Sequence, residues 1–364
     1  MTRLLPDPAL RNACTRFLWG HGKVDARTWV DRLAKSAHLD DLLDVYNEGP
    51  AMARLEAETA ALLGKEAALF FHKGVTAQQA ALLVHAQATN RRAIALHPKS
   101  HIALDELDTL DTLAGLTSRR VGTDRAVFTT ADLDRLAEPL AAVTVEIPLR
   151  RAGFLGTSWD ELTAISHWAR GRNVPFHLDG ARIWEIAPWY GRSLSEISAL
   201  ADSVYVSFYK GLGGMGGCVL AGSADFIAAC KPWRLRFGGD MPTIFPYILT
   251  ALDGMRHHLP RMADYHRHAC AVAAALAAIP GVRLIPGTPH GNSFQIHLDA
   301  PVERLDAAAV AIARESGTWL FNRFEETIFA DRSYGEIVVG DATLGWTPEE
   351  AAAAVAELLK RAQG

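Results

Sequence analysis

Short apolar runs alternate with longer stretches of helical spacing along most of the chain. Ala67-Ala-Leu-Phe-Phe71, Ile94-Ala-Leu96 and Val174–Leu178 are too short for helices and are flanked by polar or turn residues, so they read as buried strands. The segment from Leu140 to Ile147 ends in another strand, and Cys218-Val-Leu-Ala-Gly222 is a further one. Between them, apolar residues recur at helical spacing over 52–63, stopping at Gly64, over 76–88, starting just after Gly74, and over 159–170. The alanine-rich stretches 269–278 and 351–356 read as helices because alanine loses least on entering one. Strands alternating with helices predict an α/β fold, a mostly parallel sheet sandwiched by helices. Beyond Pro260 a helix and a strand-rich part predict a smaller C-terminal α/β domain.

The bulk properties narrow the class. The 364 residues are 49% hydrophobic and 21% charged, with a formal charge of −4 and no concentrated run of Lys or Arg, which argues against nucleic acid as a partner. No apolar stretch approaches the roughly 18 residues of a membrane-spanning helix, and the first residues lack a signal-peptide pattern. A cytoplasmic location is the expectation. Cys14, Cys218, Cys230 and Cys270 are scattered without zinc spacing and read as free thiols, buried or partly so. His257-His258 and His266-x-His268, near Asp264, form a histidine-rich patch. Adjacent histidines on a helix diverge, so a structural or surface role is expected and no metal.

The chemistry concentrates in two segments. Phe176-His-Leu-Asp179 and Ser203-Val-Tyr-Val-Ser-Phe-Tyr-Lys210 each begin as an apolar run and end in an ionisable residue followed by glycine. This is how a buried strand delivers a charged group to a sheet edge. A lysine and an acid so placed suit pyridoxal phosphate, the lysine holding the cofactor as a Schiff base and the carboxylate keeping the ring nitrogen protonated. A solvated strand end and an Asp-Gly turn are the plainer reading, and local chemistry leaves both open. Gly211, Gly213 and Gly216 match a dinucleotide fingerprint formally, but a strand follows where that fingerprint opens a helix. The loop His72-Lys73-Gly74-Val75, before a helix N-terminus, offers backbone N–H groups to a phosphate.

From about residue 44 to about residue 239 the chain resembles the threonine aldolase and β-eliminating lyase family. The resemblance rests on His177-Leu-Asp-Gly-Ala-Arg182, Asp202-Ser-Val-Tyr-Val-Ser207, Lys210-Gly-Leu-Gly213, Leu62-Leu-Gly-Lys-Glu-Ala-Ala-Leu-Phe70 and Asp44-Val-Tyr-Asn-Glu48. It implies a fold type I enzyme dependent on pyridoxal 5'-phosphate, with a small amino-acid substrate, assembled as a homodimer or homotetramer with shared active sites. By resemblance, Lys210 carries the cofactor, Asp179 pairs with its ring nitrogen in a lowered-pKa, ionised state, and His101 stacks on the ring. Lys73, Gly74, Val75 and Ser207 lie near the phosphate. Arg182 holds the substrate carboxylate and contacts the cofactor site, and Tyr46 reaches a neighbouring subunit's site. The implied organisation is an N-terminal segment, 1–45, packing with the small domain or a partner, a cofactor-binding domain, 46–258, and a small domain, 259–364.

The chain also departs from the family pattern. Lys73-Gly74-Val75 replaces Ser-Gly-Thr, losing two hydroxyls. Leu149 stands where the family has a histidine near the substrate hydroxyl, so His101, His72 or a water must act as base. Glu336 aligns approximately with the family's C-terminal arginine, and Arg323 is the candidate replacement for binding substrate. Asp240-Met-Pro242 removes an intersubunit cation, with Arg234 and Arg236 nearby. The expected activity is cleavage of a β-hydroxy-α-amino acid, threonine- or phenylserine-like, to glycine and an aldehyde, with Phe208, Tyr209 and Trp233 as candidates to line the aldehyde side. The alternatives are β-elimination or β-replacement, and a catalytically silent cofactor-binding relative.

Overall fold

The computed structural model describes residues 7–364. The chain divides into two units, one of residues 32–260 and one of residues 1–31 with 261–364. The N-terminal residues up to 31 therefore group with the C-terminal part, while 32–45 group with the central part.

The larger unit is built on a seven-stranded sheet. Its strands are β1 (Ala67–Phe71), β2 (Ala93–Leu96), β3 (Thr117–Arg120), β4 (Leu140–Glu146), β5 (Phe176–Asp179), β6 (Ser203–Ser207) and β7 (Cys218–Gly222), in the order β1-β7-β6-β5-β4-β2-β3. From β3 to β6 every pairing is parallel, and β7 alone runs against its neighbours β6 and β1. The carboxyl ends of the other six strands therefore share one edge, where Phe71, Glu146, Asp179 and Ser207 fall. Every residue of β2, β4, β5, β6 and β7 is buried, as a sheet covered on both faces requires. The polar edge strand β3, Thr-Ser-Arg-Arg, carries no such signal in the sequence.

The helices are set by local chemistry as much as by pattern. The helix Pro50–Leu63 opens on proline and closes on Gly64, at φ 62°. The helix Gly74–Thr89 buries eleven residues, from Gly74 to Ala86, and ends at Asn90 in the left-handed region. Helix Trp159–Gly171 is capped by the Ser158 hydroxyl, which accepts the Glu161 N–H. Leu69, Phe71, Ala77, Ala80, Ala81 and Leu220 form one core cluster between the sheet and the Gly74–Thr89 helix.

The other unit contains an antiparallel sheet of β8 (Val282–Ile285), β9 (Ser293–Leu298), β10 (Phe324–Glu326) and β11 (Ser333–Val338), ordered β10-β11-β9-β8. Helices Met262–Ala277 and Val302–Ser316 each pack on Pro348–Gln363. The short run Arg16–Phe17 pairs in parallel with Thr318–Trp319. His266 and His268 each donate through Nε2 to a backbone carbonyl, of Pro289 and Thr343 respectively, so both brace the helix against neighbouring loops. The four cysteines are free; three are buried and Cys270 is half-buried. Among the described residues no helix is long and apolar enough to cross a membrane.

Candidate active site

Asp179 is the last residue of β5 and is 2% exposed. Its neighbours in register are Glu146 on β4 and Tyr205 on β6. One carboxylate oxygen accepts the Ala181 N–H at 3.2 Å. Burial, followed by the charge of Glu146, raises its pKa to about 7, while Lys210 and His101 pull the other way. This differs from the lowered pKa expected of it, because that expectation placed a cationic ring beside the carboxylate and the protein alone supplies burial instead.

Lys210 follows β6 by three residues and is half-buried, its Nζ 5.8 Å from the centroid of the Tyr209 ring. Burial and then the charge of Arg182 lower its pKa to about 8, against the attraction of Asp179, Glu146 and Glu185. Asp179 and Lys210 each perturb the other's titration, so the structure brings the acid and the lysine into one electrostatic cluster.

His101 opens a short helix whose N-cap is Ser100. Its backbone N–H donates to Glu146 Oε2 at 2.7 Å, and its Nδ1 lies 2.9 Å from Glu106 Oε1. Burial opposes the charged ring, but the Glu106 hydrogen bond and charge, with Asp179, outweigh it and hold His101 above the ordinary histidine range. Glu146 also accepts the Arg150 N–H at 3.2 Å, so one carboxylate ties together the loops that follow β2 and β4.

The phosphate-loop candidates stand at the same edge. Lys73 is exposed and precedes the Gly74–Thr89 helix without capping it through its side chain. A Cβ on Gly74 would lie 2.2 Å from the Tyr205 hydroxyl, so only glycine fits there. The first-turn N–H groups of Gly74 and Val75 have no intrahelical partner and suit an anion. The Thr76 hydroxyl donates to the Lys73 carbonyl at 2.7 Å. Ser207 ends β6 at this edge, and its hydroxyl donates to the Ala181 carbonyl at 2.8 Å.

Arg182 sits three residues after Asp179 with its guanidinium 5.4 Å from the Phe154 ring centroid. Tyr46 is 60% exposed, and its N–H donates to the Pro242 carbonyl. Arg323 belongs to the other unit and pairs with Glu325 at 3.0 Å. Phe208 is fully buried, Trp233 packs half-buried against the core, and Tyr209 remains partly exposed. Arg234 is also buried, bound to Asp240 and the Phe70 carbonyl, and does not replace an intersubunit cation.

The sequence reading missed Glu146, Glu106 and Glu185. Glu146 bore part of the signal that found Asp179, an apolar strand ending in an acid, but Ile147 follows it and not glycine. Glu185 is 2% exposed; its Oε1 accepts the Gly211 N–H at 2.8 Å and its Oε2 has no partner. A Cβ on Gly211 would fall 2.5 Å from that carboxyl group, so this glycine serves close approach to Glu185.

The residues present fit pyridoxal phosphate. A deeply buried carboxylate awaits a cationic N–H, a lysine of lowered pKa stands beside it, and a helix N-terminus with a sterically required glycine suits the phosphate. The profile of the β-eliminating lyase family matches residues 27–300. A candidate L-allo-threonine aldolase from Listeria monocytogenes is 34% identical, with a TM-score of 0.89 over 97% of this chain and 98% of that one. A candidate aromatic amino acid β-eliminating lyase/threonine aldolase from Exiguobacterium is 32% identical, with a TM-score of 0.90 over 97% and 99%. Low-specificity L-threonine aldolase 1 of Arabidopsis thaliana is 28% identical over 68% of this chain and 72% of its own. With three quarters of its length under one family profile and its fold shared nearly end to end, the chain belongs to the β-eliminating lyase family and is a lyase dependent on pyridoxal phosphate.

Proposed function

We propose that the chain splits a β-hydroxy-α-amino acid, threonine-like or phenylserine-like, into glycine and an aldehyde. The observation that carries this reading is the mutual perturbation of Asp179 and Lys210 at the edge where His101 and the Gly74–Thr89 N-terminus also lie. The threonine aldolase names of the relatives support the choice of substrate class.

Bound pyridoxal phosphate supplies an electron sink for the pair left at Cα when a bond there breaks. The residues divide the remaining work. Asp179, buried and acceptor-only when ionised, keeps a proton on the ring nitrogen. Lys210, lowered to about 8, has an appreciable free-amine fraction near neutrality and can act as nucleophile and proton carrier at Cα. Arg182 offers a planar guanidinium to the substrate carboxylate. Leu149 is 2% exposed and apolar, so it cannot take the β-hydroxyl proton. His72 is the candidate base: burial and then Lys73 lower its pKa and favour the neutral ring. His101, held above the ordinary range, suits a charged role.

The assembly is proposed to be a homo-oligomer. Leu42, Leu43, Val45 and Tyr46 expose 60–78% of their surface on one short segment, apolar area that a second copy would cover. Light scattering after gel filtration tests this, and a monomer at working concentration would refute it.

The test of the activity is product analysis with threonine, allo-threonine and phenylserine, beside a Lys210→Ala control. Glycine with an aldehyde supports aldol cleavage. A keto acid with ammonia supports β-elimination, the second reading, which the buried Leu149 favours because it needs no base at the β-hydroxyl.

A further inference from the structure

A cavity of about 630 Å³ opens at the opposite edge of the large sheet from Lys210. It lies where Val174 and Pro175 lead into β5, Asp202 leads into β6, and the Gly74–Thr89 helix ends. Its floor carries His85, a residue only 5% exposed. The mechanism uses none of these groups.

The hydrogen bonds behind His85 fix its tautomer. Gln78 Oε1 can only accept, so His177 Nε2, 2.6 Å away, donates to it. Burial pushes His177 down to about 3 and His85 to about 4, so both rings are neutral near pH 7. His177 Nδ1 must then accept from the Ser203 hydroxyl at 2.7 Å, and Ser203 Oγ accepts from His85 Nε2, also at 2.7 Å. The proton count leaves His85 Nδ1 a bare lone pair. Among the described residues that atom has no hydrogen-bond partner, and it keeps accessible surface in a ring that lines the cavity, so it faces the cavity. The Phe226 ring stacks on His85 at 4.8 Å and 23°, giving a flat apolar wall beside this acceptor.

Charge at the rim sets the ligand's sign. Asp225 is exposed and makes no ion pair among the described residues, and Asp202 uses one oxygen on the Phe176 N–H. Arg170 also lines the cavity and keeps its charge while donating to the Ala199 carbonyl, so the lining carries two carboxylates, Asp202 and Asp225, against one guanidinium; Lys65, outside the lining, donates to the Ala201 carbonyl. We propose that this cavity is a ligand site, separate from the active site, for a small flat aromatic cation that gives an N–H to His85 Nδ1 and its charge to Asp225.

Benzamidine is the probe, since it is aromatic, cationic and rich in N–H donors without a reactive primary amine. Holoenzyme labelled with ¹⁵N in its histidine rings is titrated with benzamidine up to about 10 mM, a range suited to ligands of this size. His85 Nδ1 is expected to appear unprotonated and to shift on titration, with the cofactor absorbance unchanged. Ala88 and Asp225 both line the mouth and are exposed. Ala88→Trp is expected to abolish the shift, and Asp225→Asn to weaken binding about 3- to 10-fold, in keeping with one exposed charge pair. A proton on His85 Nδ1, an unmoved His85 signal, or unaltered binding in Asp225→Asn each overturns the proposal. If Ala88→Trp fails to fold, the tautomer and Asp225→Asn decide alone.

Discussion

Gly74 and Tyr205 leave no room between them: a Cβ on Gly74 would sit 2.2 Å from the Tyr205 hydroxyl oxygen. Tyr205 is buried on β6, with Cys218 and Tyr209 around its hydroxyl, and cannot swing away. Gly74→Ala should therefore destabilise the protein by about 1–3 kcal/mol, the usual cost of overpacking, and weaken pyridoxal phosphate binding. Tyr205→Phe removes the colliding oxygen. The double variant should recover part of the loss in a denaturation cycle; strict additivity of the two changes would contradict the contact.

Asp179 makes stability depend on pH in an unusual direction. Its pKa rises from 3.8 to about 7 in the folded protein, so the folded state holds this proton more tightly than the unfolded chain. The protein without cofactor therefore loses stability as pH climbs from about 4 to about 7. Asp179→Asn removes the buried charge. Its cofactor-free form should melt higher than wild type at pH 8, with the gap closing below pH 4, while its affinity for pyridoxal phosphate falls. Parallel melting curves at both pH values would show that the carboxyl is not buried as described.

His101 titrates in the opposite sense. Burial lowers its pKa, yet Glu106 at 2.9 Å and Asp179 raise it further than burial lowers it. The stabilisation from this pairing is complete below the ordinary histidine value of 6.5 and is lost as pH rises through the higher folded value. Glu106→Gln keeps a hydrogen-bonding side chain but removes the charge. The His101 ring signal should then titrate at lower pH than in wild type, since burial is left less opposed. An unchanged midpoint would assign the shift elsewhere.

The larger sheet was legible because its strands are almost wholly apolar and its helices carry their own punctuation, such as Gly64 and the glycine at 74. The edge strand β3 was not, because Thr-Ser-Arg-Arg has no buried face to announce it. Asp179 and Lys210 stood out as charges ending apolar runs. Glu146 ended such a run too, but only the fold reveals that it grips the His101 and Arg150 backbones. Glu185 lies within a helix, and its burial against Gly211 depends on a turn 26 residues away. Ser207 is a similar case: sequence places a hydroxyl at the strand end, and only geometry shows that it donates to the Ala181 carbonyl.

The replacement of a family histidine by buried Leu149 makes the identity of the base a question the two remaining histidines can answer. His72 has its pKa lowered by burial and by Lys73, whereas that of His101 is raised, so His72 is the ring biased toward the neutral form that accepts a proton. His72→Asn should lower kcat for aldol cleavage by about 10²- to 10⁴-fold, the usual contribution of a general base. Exchange of the glycine Cα proton with deuterium needs no β-hydroxyl base and is assigned to Lys210, so it should survive in His72→Asn and vanish in Lys210→Ala. In wild type, the acidic limb of the kcat/KM profile should fall below pH 6.5, because a base of lowered pKa stays active into more acid solution. Equal loss of cleavage and exchange in His72→Asn would instead make His72 a support for cofactor binding, and the proton at the β-hydroxyl would have to leave through water.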